Sequence, residues 1–118
     1  MAMIVIAEDE FLLADLLATF LEDEGHEVAT APHGLGALDL VRERRPALII
    51  TDFMMPLMTG LELALAVRAD ALIADIPIVL VSGAQGAIGR AHPEAFDAVL
   101  DKPYALEKLL EVVEDLIR

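Results

Sequence analysis

Apolar residues follow two alternating rhythms along the chain. Met3 to Ala7 is an unbroken apolar run of strand length, the pattern of a strand buried on both faces, and it stops at Glu8-Asp9-Glu10. From Leu12 the period becomes helical, with Leu12, Leu13, Leu16, Leu17, Phe20 and Leu21 recurring and Gly25 placed as a C-terminal stop. Glu27 to Ala31 is more polar and predicts a strand at a sheet edge. Leu35 to Arg44 predicts a helix with Leu35, Leu38 and Val41 on one face. Ala47 to Thr51 is a second apolar run, ending in Asp52, and Leu61 to Ala69 reads as a helix. Pro77 to Val81 is a third such run, ending in Ser82-Gly83. Ala84 to Asp97 contains Gly86, Gly89 and Pro93 and supports at most a short helix. Ala98 to Leu100 is a brief strand ending in Asp101-Lys102-Pro103, and Leu106, Leu109, Leu110, Val113 and Ile117 form the inner stripe of a final helix.

Strand and helix thus alternate five times with no Pro- or Ser-rich linker, which predicts a single α/β domain over residues 1–118. The strands should form a parallel sheet with helices on both faces, because each crossover lays a helix over the sheet. In such sheets sites form at the carboxyl ends of the strands, near the topological switch point. The residues closing the apolar runs are Glu8-Asp9, Asp52, Ser82 and Lys102, so all should line one edge.

Composition narrows the chemistry. Hydrophobic residues make up 57% of the chain but aromatics only 4%, so the core is aliphatic. No apolar run approaches the roughly 18–20 residues of a membrane span, and the N-terminus lacks the basic start and cleavage site of a secretory signal. A cytoplasmic protein without membrane contact is expected. With 21 Asp and Glu against 8 Lys and Arg, the net charge is −13, which excludes a general nucleic-acid binder. The absence of cysteine removes disulfides, thiolate metal sites and cysteine nucleophiles.

Three carboxylates converging on one edge repel one another unless a cation compensates them. Oxygen-only ligands without nearby His or Cys favour Mg²⁺ over zinc, and Mg²⁺ characteristically keeps waters and is completed by a phosphate oxygen. Asp9 and Asp52 are the candidate direct ligands, with Glu8 reaching the ion through water. Lys102 supplies a compact positive charge and Ser82 a hydroxyl, the two group types that hold phosphoryl oxygens. Phosphoryl transfer needs mainly in-line positioning and charge neutralisation, so Asp52 is the natural nucleophile, forming an acyl phosphate.

These residues resemble the receiver domain of two-component response regulators over essentially the whole chain. The match consists of Glu8-Asp9 after the first strand, Asp52 within Thr51-Asp52-Phe53-Met54-Met55-Pro56-Leu57-Met58-Thr59-Gly60, Ser82 after the fourth strand, and Lys102-Pro103 after the fifth. Each piece alone is weak; all four in order are specific. The resemblance implies a flavodoxin-like (βα)5 fold with strand order 2-1-3-4-5. It implies that Asp52 accepts a phosphoryl group from a phosphohistidine on a sensor histidine kinase or histidine phosphotransfer protein. Asp9, Asp52 and the backbone carbonyl of Met54 would bind Mg²⁺, and Ser82 and Lys102 would contact the phosphoryl oxygens, Ser82 as the switch hydroxyl. Pro56 and Gly60 would shape the loop after Asp52, and Pro103 the turn after Lys102, through a cis Lys-Pro bond. Re-forming of the Ser82 to Asp97 loop would then present a surface to a downstream protein target. The outcome is signalling rather than substrate turnover, in a monomer or weak dimer.

One position departs from the family pattern. Receivers usually carry Tyr or Phe three residues before the lysine, where this chain has Val99. Gly83 and the Gly/Ala-rich stretch after it suggest a mobile loop in place of the usual aromatic coupling. The chain ends with the fifth helix, so a stand-alone receiver is expected. The alternatives are a receiver fragment of a hybrid kinase or larger regulator, and a receiver-like binding module that works without phosphorylation. A small phosphatase-type enzyme is disfavoured because no further acid/base residue accompanies Asp52. Glu10 reads as a helix cap rather than a ligand. His26, His33 and His92 share no spacing and are expected to be exposed, and Met54, Met55 and Met58 read as packing and loop residues.

Overall fold

The computed structural model describes residues 2–117; Met1 and Arg118, the ends of the expected domain, lie outside the described residues. The five apolar runs become β1 (Met3–Ala7), β2 (Glu27–Ala31), β3 (Leu48–Asp52), β4 (Ile78–Ser82) and β5 (Ala98–Asp101). Between and after them lie α1 (Phe11–Asp23), α2 (Gly34–Arg44), α3 (Gly60–Ala69), α4 (Gly86–Arg90) and α5 (Leu106–Ile117). All strand pairs are parallel and the sheet order is β2-β1-β3-β4-β5, as the resemblance implied. No described helix is long and apolar enough to cross a membrane.

Strand alternation sorts the core into two layers. Val5, Ala7, Ile49, Ile78 and Leu80 face α2 and α3 and pack with Ala37, Val41, Leu63 and Val67. Ile4, Ile6, Leu48, Ile50, Val79 and Val81 face the other way, onto Leu17 and Leu21 of α1 and Leu109 and Val113 of α5. Because β1, β3 and β4 are covered on both faces, they show no polar alternation, whereas edge strand β2 keeps exposed Glu27 and Thr30.

Local chemistry sets the boundaries. Gly25 ends the turn after α1 at φ 94°, a backbone region that glycine enters without steric cost. Thr59 opens α3 with a reciprocal capping box: its hydroxyl accepts from the Glu62 amide while the Glu62 carboxylate accepts from the Thr59 amide. β3 and β4 each run one residue past the expected stop, so Asp52 and Ser82 belong to the strands themselves. The segment before β5 holds only the short helix α4, as its glycines suggested.

Two expectations from periodicity require correction. Leu12 and Leu16 of α1, and Leu35 of α2, are solvent-exposed rather than core-facing. The inner stripe of α1 is Ala14, Leu17 and Leu21, and that of α2 is Ala37, Leu38 and Val41. Small alanines let the helices lie close to the sheet, and an apolar-residue pattern read for Leu alone shifts the face by one position. The histidines are also half-buried rather than exposed. His33 caps α2 by accepting from the Gly36 amide, and His26 accepts from the Ala2 amide.

At the amino edge of the sheet, Arg68 at the end of α3 ties three segments together. Its guanidinium donates to the carbonyls of Ala74 (2.8 Å) and Ile76 (2.6 Å) in the α3–β4 connection, and to those of Glu94 (3.2 Å) and Ala95 (3.0 Å) before β5. It also pairs with Asp97 at 2.8 Å, and the same Asp97 oxygen accepts from the Ile78 amide at 2.7 Å. A planar five-donor fork suits this arrangement and a lysine does not. Arg68→Ala should therefore cost about 2–3 kcal/mol of stability, with Arg68→Lys restoring little of it, as read by urea denaturation. An unchanged midpoint in both variants would remove Arg68 as the tie.

Candidate functional site

Register places the site. Ala7 pairs with Thr51, so the next residue, Glu8, leaves β1 beside Asp52; Ser82 pairs with Asp101, so Lys102 emerges one residue beyond Ser82. The four strand ends predicted to line one edge do so. Glu8, Asp9 and Asp52 each present a carboxylate oxygen within 4.8 Å of the others. The Lys102 ammonium stands 3.5 Å from Asp52 Oδ2 and 3.8 Å from Glu8 Oε1. The set is all oxygen, with no histidine or cysteine in it, which fits a hard divalent cation. The Met54 side chain is exposed, while Met55 is buried and Met58 packs on the α2/α3 layer of the core.

The backbone holds these groups in place. Asp52 Oδ1 accepts from the Phe53 amide at 2.9 Å, and Glu8 Oε2 accepts from the Glu10 amide at 3.0 Å. Glu10 sits at the start of α1 but makes no side-chain cap; Glu8 satisfies its amide instead. Gly60 brings α3 against the Asp52 backbone so closely that a Cβ there would lie 2.3 Å from the Asp52 carbonyl oxygen. The Lys102-Pro103 bond is cis, as the resemblance implied.

Ser82 is fully buried, and its hydroxyl is engaged within its own turn. It accepts from the Gln85 amide at 3.0 Å and donates to the Gln85 side-chain oxygen at 3.3 Å. Val99 is half-buried and packs on the α2/α3 layer of the core. Beside the carboxylates opens an apolar cleft of about 470 Å³, between Leu13, Leu16 and Leu17 of α1 and Lys102, Pro103 and Tyr104. Gln85 and Tyr104 are the two residues here that the sequence reading passed over. Burial, then the charges of Glu8 and Asp52, raise the Tyr104 phenol above its usual range, so it stays protonated.

Glu8 carries the main electrostatic strain. Burial chiefly, with the Asp52 charge and the Asp9 contact adding, raises its carboxyl from 4.5 to about 7, against the lowering effects of the Glu10 amide and Lys102. A carboxyl whose folded value exceeds its unfolded value favours the fold while protonated. That contribution is complete below about pH 4.5 and lost as pH rises through about 7. Without divalent cation, stability should thus fall between about pH 5 and pH 8, by at most on the order of 3 kcal/mol. Glu8→Gln should flatten that slope in urea titrations at several pH values. An equally steep slope in the variant would assign the effect to other groups.

Comparison with known proteins identifies the family. The family model for the response regulator receiver domain matches residues 4–114. The chain is 30% identical over 116 residues to the polar-differentiation response regulator DivK of Brucella anthropi, covering 97% of this chain and 94% of that one. Its backbone resembles that of the chemotaxis response regulator CheY4 of Vibrio cholerae, with TM-score 0.89, 29% identity and 98% of each chain covered. It likewise resembles the signal receiver domain of a signal transduction histidine kinase from Syntrophus aciditrophicus, with TM-score 0.90 and 27% identity over 99% of this chain and 90% of that one. A match spanning nearly the whole sheet, from Ile4 in β1 into α5, makes this chain a member of the response regulator receiver domain family of two-component signalling.

Proposed function

We propose that the chain is a phosphorelay switch in which Asp52 is the phosphoacceptor. The observation that carries this is the Asp52 carboxylate at the end of β3, flanked by two further carboxylates and 3.5 Å from the Lys102 ammonium. In the transfer, an Asp52 oxygen forms a bond to phosphorus as the phosphorus–nitrogen bond of a donor phosphohistidine breaks. The imidazole leaves with the bonding electron pair. Lys102 neutralises charge on the phosphoryl oxygens, and the Ser82 hydroxyl donates to one of them once it has turned from Gln85. Glu8, Asp9, Asp52 and the Met54 carbonyl would hold Mg²⁺, which supplies the remaining charge neutralisation when bound. The product is a changed surface rather than a released compound, so the role is signalling and not substrate turnover, carried out in the cytoplasm.

The donor must approach over the rim of this edge. Phe11 and Leu12, 79% and 81% exposed, stand at the start of α1 just after Glu8-Asp9-Glu10, and Leu16 continues them into the apolar cleft. Large exposed side chains grouped beside a reactive carboxylate suit a helical, apolar surface of a histidine kinase or phosphotransfer protein. Downstream protein targets would read the altered segment after Ser82.

Two measurements test this. Acetyl phosphate with a divalent cation should add one phosphoryl group by intact mass, and Asp52→Asn should abolish the addition; an unmodified parent chain would overturn the phosphoacceptor assignment. Leu12→Glu should slow transfer from a phosphorylated histidine phosphotransfer protein by about tenfold or more, while labelling by acetyl phosphate stays at the parental rate. Equal slowing with both donors would place Leu12 in the chemistry or the fold instead of the docking surface.

A further inference from the structure

We propose that Gln85 is a latch on the Ser82 hydroxyl, a positioning residue that sets how readily the phosphorylated state forms. The inference rests on the phosphoacceptor reading of Asp52 and concerns what holds the switch in its resting arrangement. A serine hydroxyl has one proton to donate. Here that proton goes to the Gln85 side-chain oxygen at 3.3 Å, while the hydroxyl oxygen takes the Gln85 amide at 3.0 Å. The two residues close a ring of two hydrogen bonds, and Ser82 has no exposure through which water could replace them. To donate to a phosphoryl oxygen, the hydroxyl must first leave Gln85.

The sequence Ser82-Gly83-Ala84-Gln85 has the spacing of a helix capping box, yet it does not behave as one. In the capping box of α3, the Glu62 carboxylate reaches back to the Thr59 backbone amide. Ser82, by contrast, is still a strand residue, paired with Asp101 in the β4–β5 register, and the Gln85 side chain turns to its hydroxyl instead. Gln85 is itself the residue before α4, and its carbonyl accepts from Ile88 at 3.1 Å and Gly89 at 3.3 Å. The residue whose carbonyl starts α4 thus commits both its amide and its side chain to the one hydroxyl that phosphorylation would claim.

Space allows the release. A Cβ added at Gly83 would meet nothing within 4 Å, so the chain between the two partners faces open space on that side. The exchange is also favourable in sign: a bond to a charged phosphoryl oxygen is roughly twice as strong as one to a neutral amide oxygen, so the anion wins but gives up the latch energy. α4 beyond it is held by few other contacts: an ion pair between Arg90 and Asp101, and the close seating of Gly86 and Gly89 on Asp101 and Leu80. Freeing Gln85 therefore loosens α4 as a unit.

Beryllofluoride with Mg²⁺, a phosphoryl mimic, serves as the probe, its dissociation constant measured by calorimetry. Gln85→Met keeps the length of the side chain and removes its acceptor. It should bind the probe about three- to tenfold more tightly than the parent, the equivalent of one neutral hydrogen bond. Gln85→Glu, which restores an acceptor, should bind no more tightly than the parent. In a Ser82→Ala background, where there is no hydroxyl to hold, Gln85→Met should change the affinity by less than about twofold. Parental or weaker binding by Gln85→Met, or an equal gain with and without the Ser82 hydroxyl, would overturn the latch. A parent protein that fails to bind the probe at all would overturn the phosphoacceptor reading and the latch with it, a result separable from the first because no variant comparison is then needed.

Discussion

Crowding of negative charge at the carboxyl edge of the sheet is the constraint around which the rest is arranged. Glu8, Asp9 and Asp52 lie within 4.8 Å of one another, and Lys102 is the cation placed against two of them. One ammonium at 3.5–3.8 Å does not neutralise three carboxylates, and Glu8, raised chiefly by its burial and further by the Asp52 charge, carries both costs. The fold tolerates this because the strands beneath are buried on both faces and their ladders do not depend on the edge. A site so built gains from any incoming cation.

Topology makes the crowding possible. Sheet order β2-β1-β3-β4-β5 sets β1 beside β3, so the residue after β1 and the last residue of β3 become neighbours across the switch point. Glycine then decides how close the helices come. Gly60 allows α3 to start against the Asp52 carbonyl, and Gly86 and Gly89 allow α4 to lie against Asp101 and Leu80. The first contact fixes the end of β3 at Asp52, whereas the second seats a helix of one turn.

Much of this was legible in the chain. Unbroken apolar runs marked β1, β3 and β4, and the polar residues closing those runs were the ones that meet at the edge, because a parallel sheet carries its strand ends to one side. Helix faces were less legible: Ala37 joins Leu38 and Val41 in the inner stripe of α2 where Leu35 was expected, and Ala14 joins Leu17 and Leu21 in that of α1. Leu12 and Leu16 share the helical spacing of the buried Leu17 and Leu21, and spacing alone does not show that they are exposed. Gln85 was hidden for a different reason. Ser-x-x-Gln before a helix ordinarily signals a cap, and which partner the glutamine side chain chooses depends on whether the serine is still held in a strand.

The two ends of the sheet divide stability and change between them. At the amino edge, Arg68 and Asp97 bind the α3–β4 connection and the residues before β5 through hydrogen bonds to several carbonyls and the Ile78 amide. At the carboxyl edge, the segment after Ser82 is held by two neutral hydrogen bonds, one exposed ion pair and the close seating of two glycines. Arg68 thus anchors Glu94, Ala95 and Asp97 at the amino edge, whereas among the described residues no such tie holds the stretch just after Ser82. Val99 is consistent with that division. An aromatic ring at this position would carry the movement of Ser82 across the sheet by packing, whereas a valine cannot follow it. With the ring absent, the hydrogen bonds between Ser82 and Gln85 are the direct tie from the end of β4 into α4.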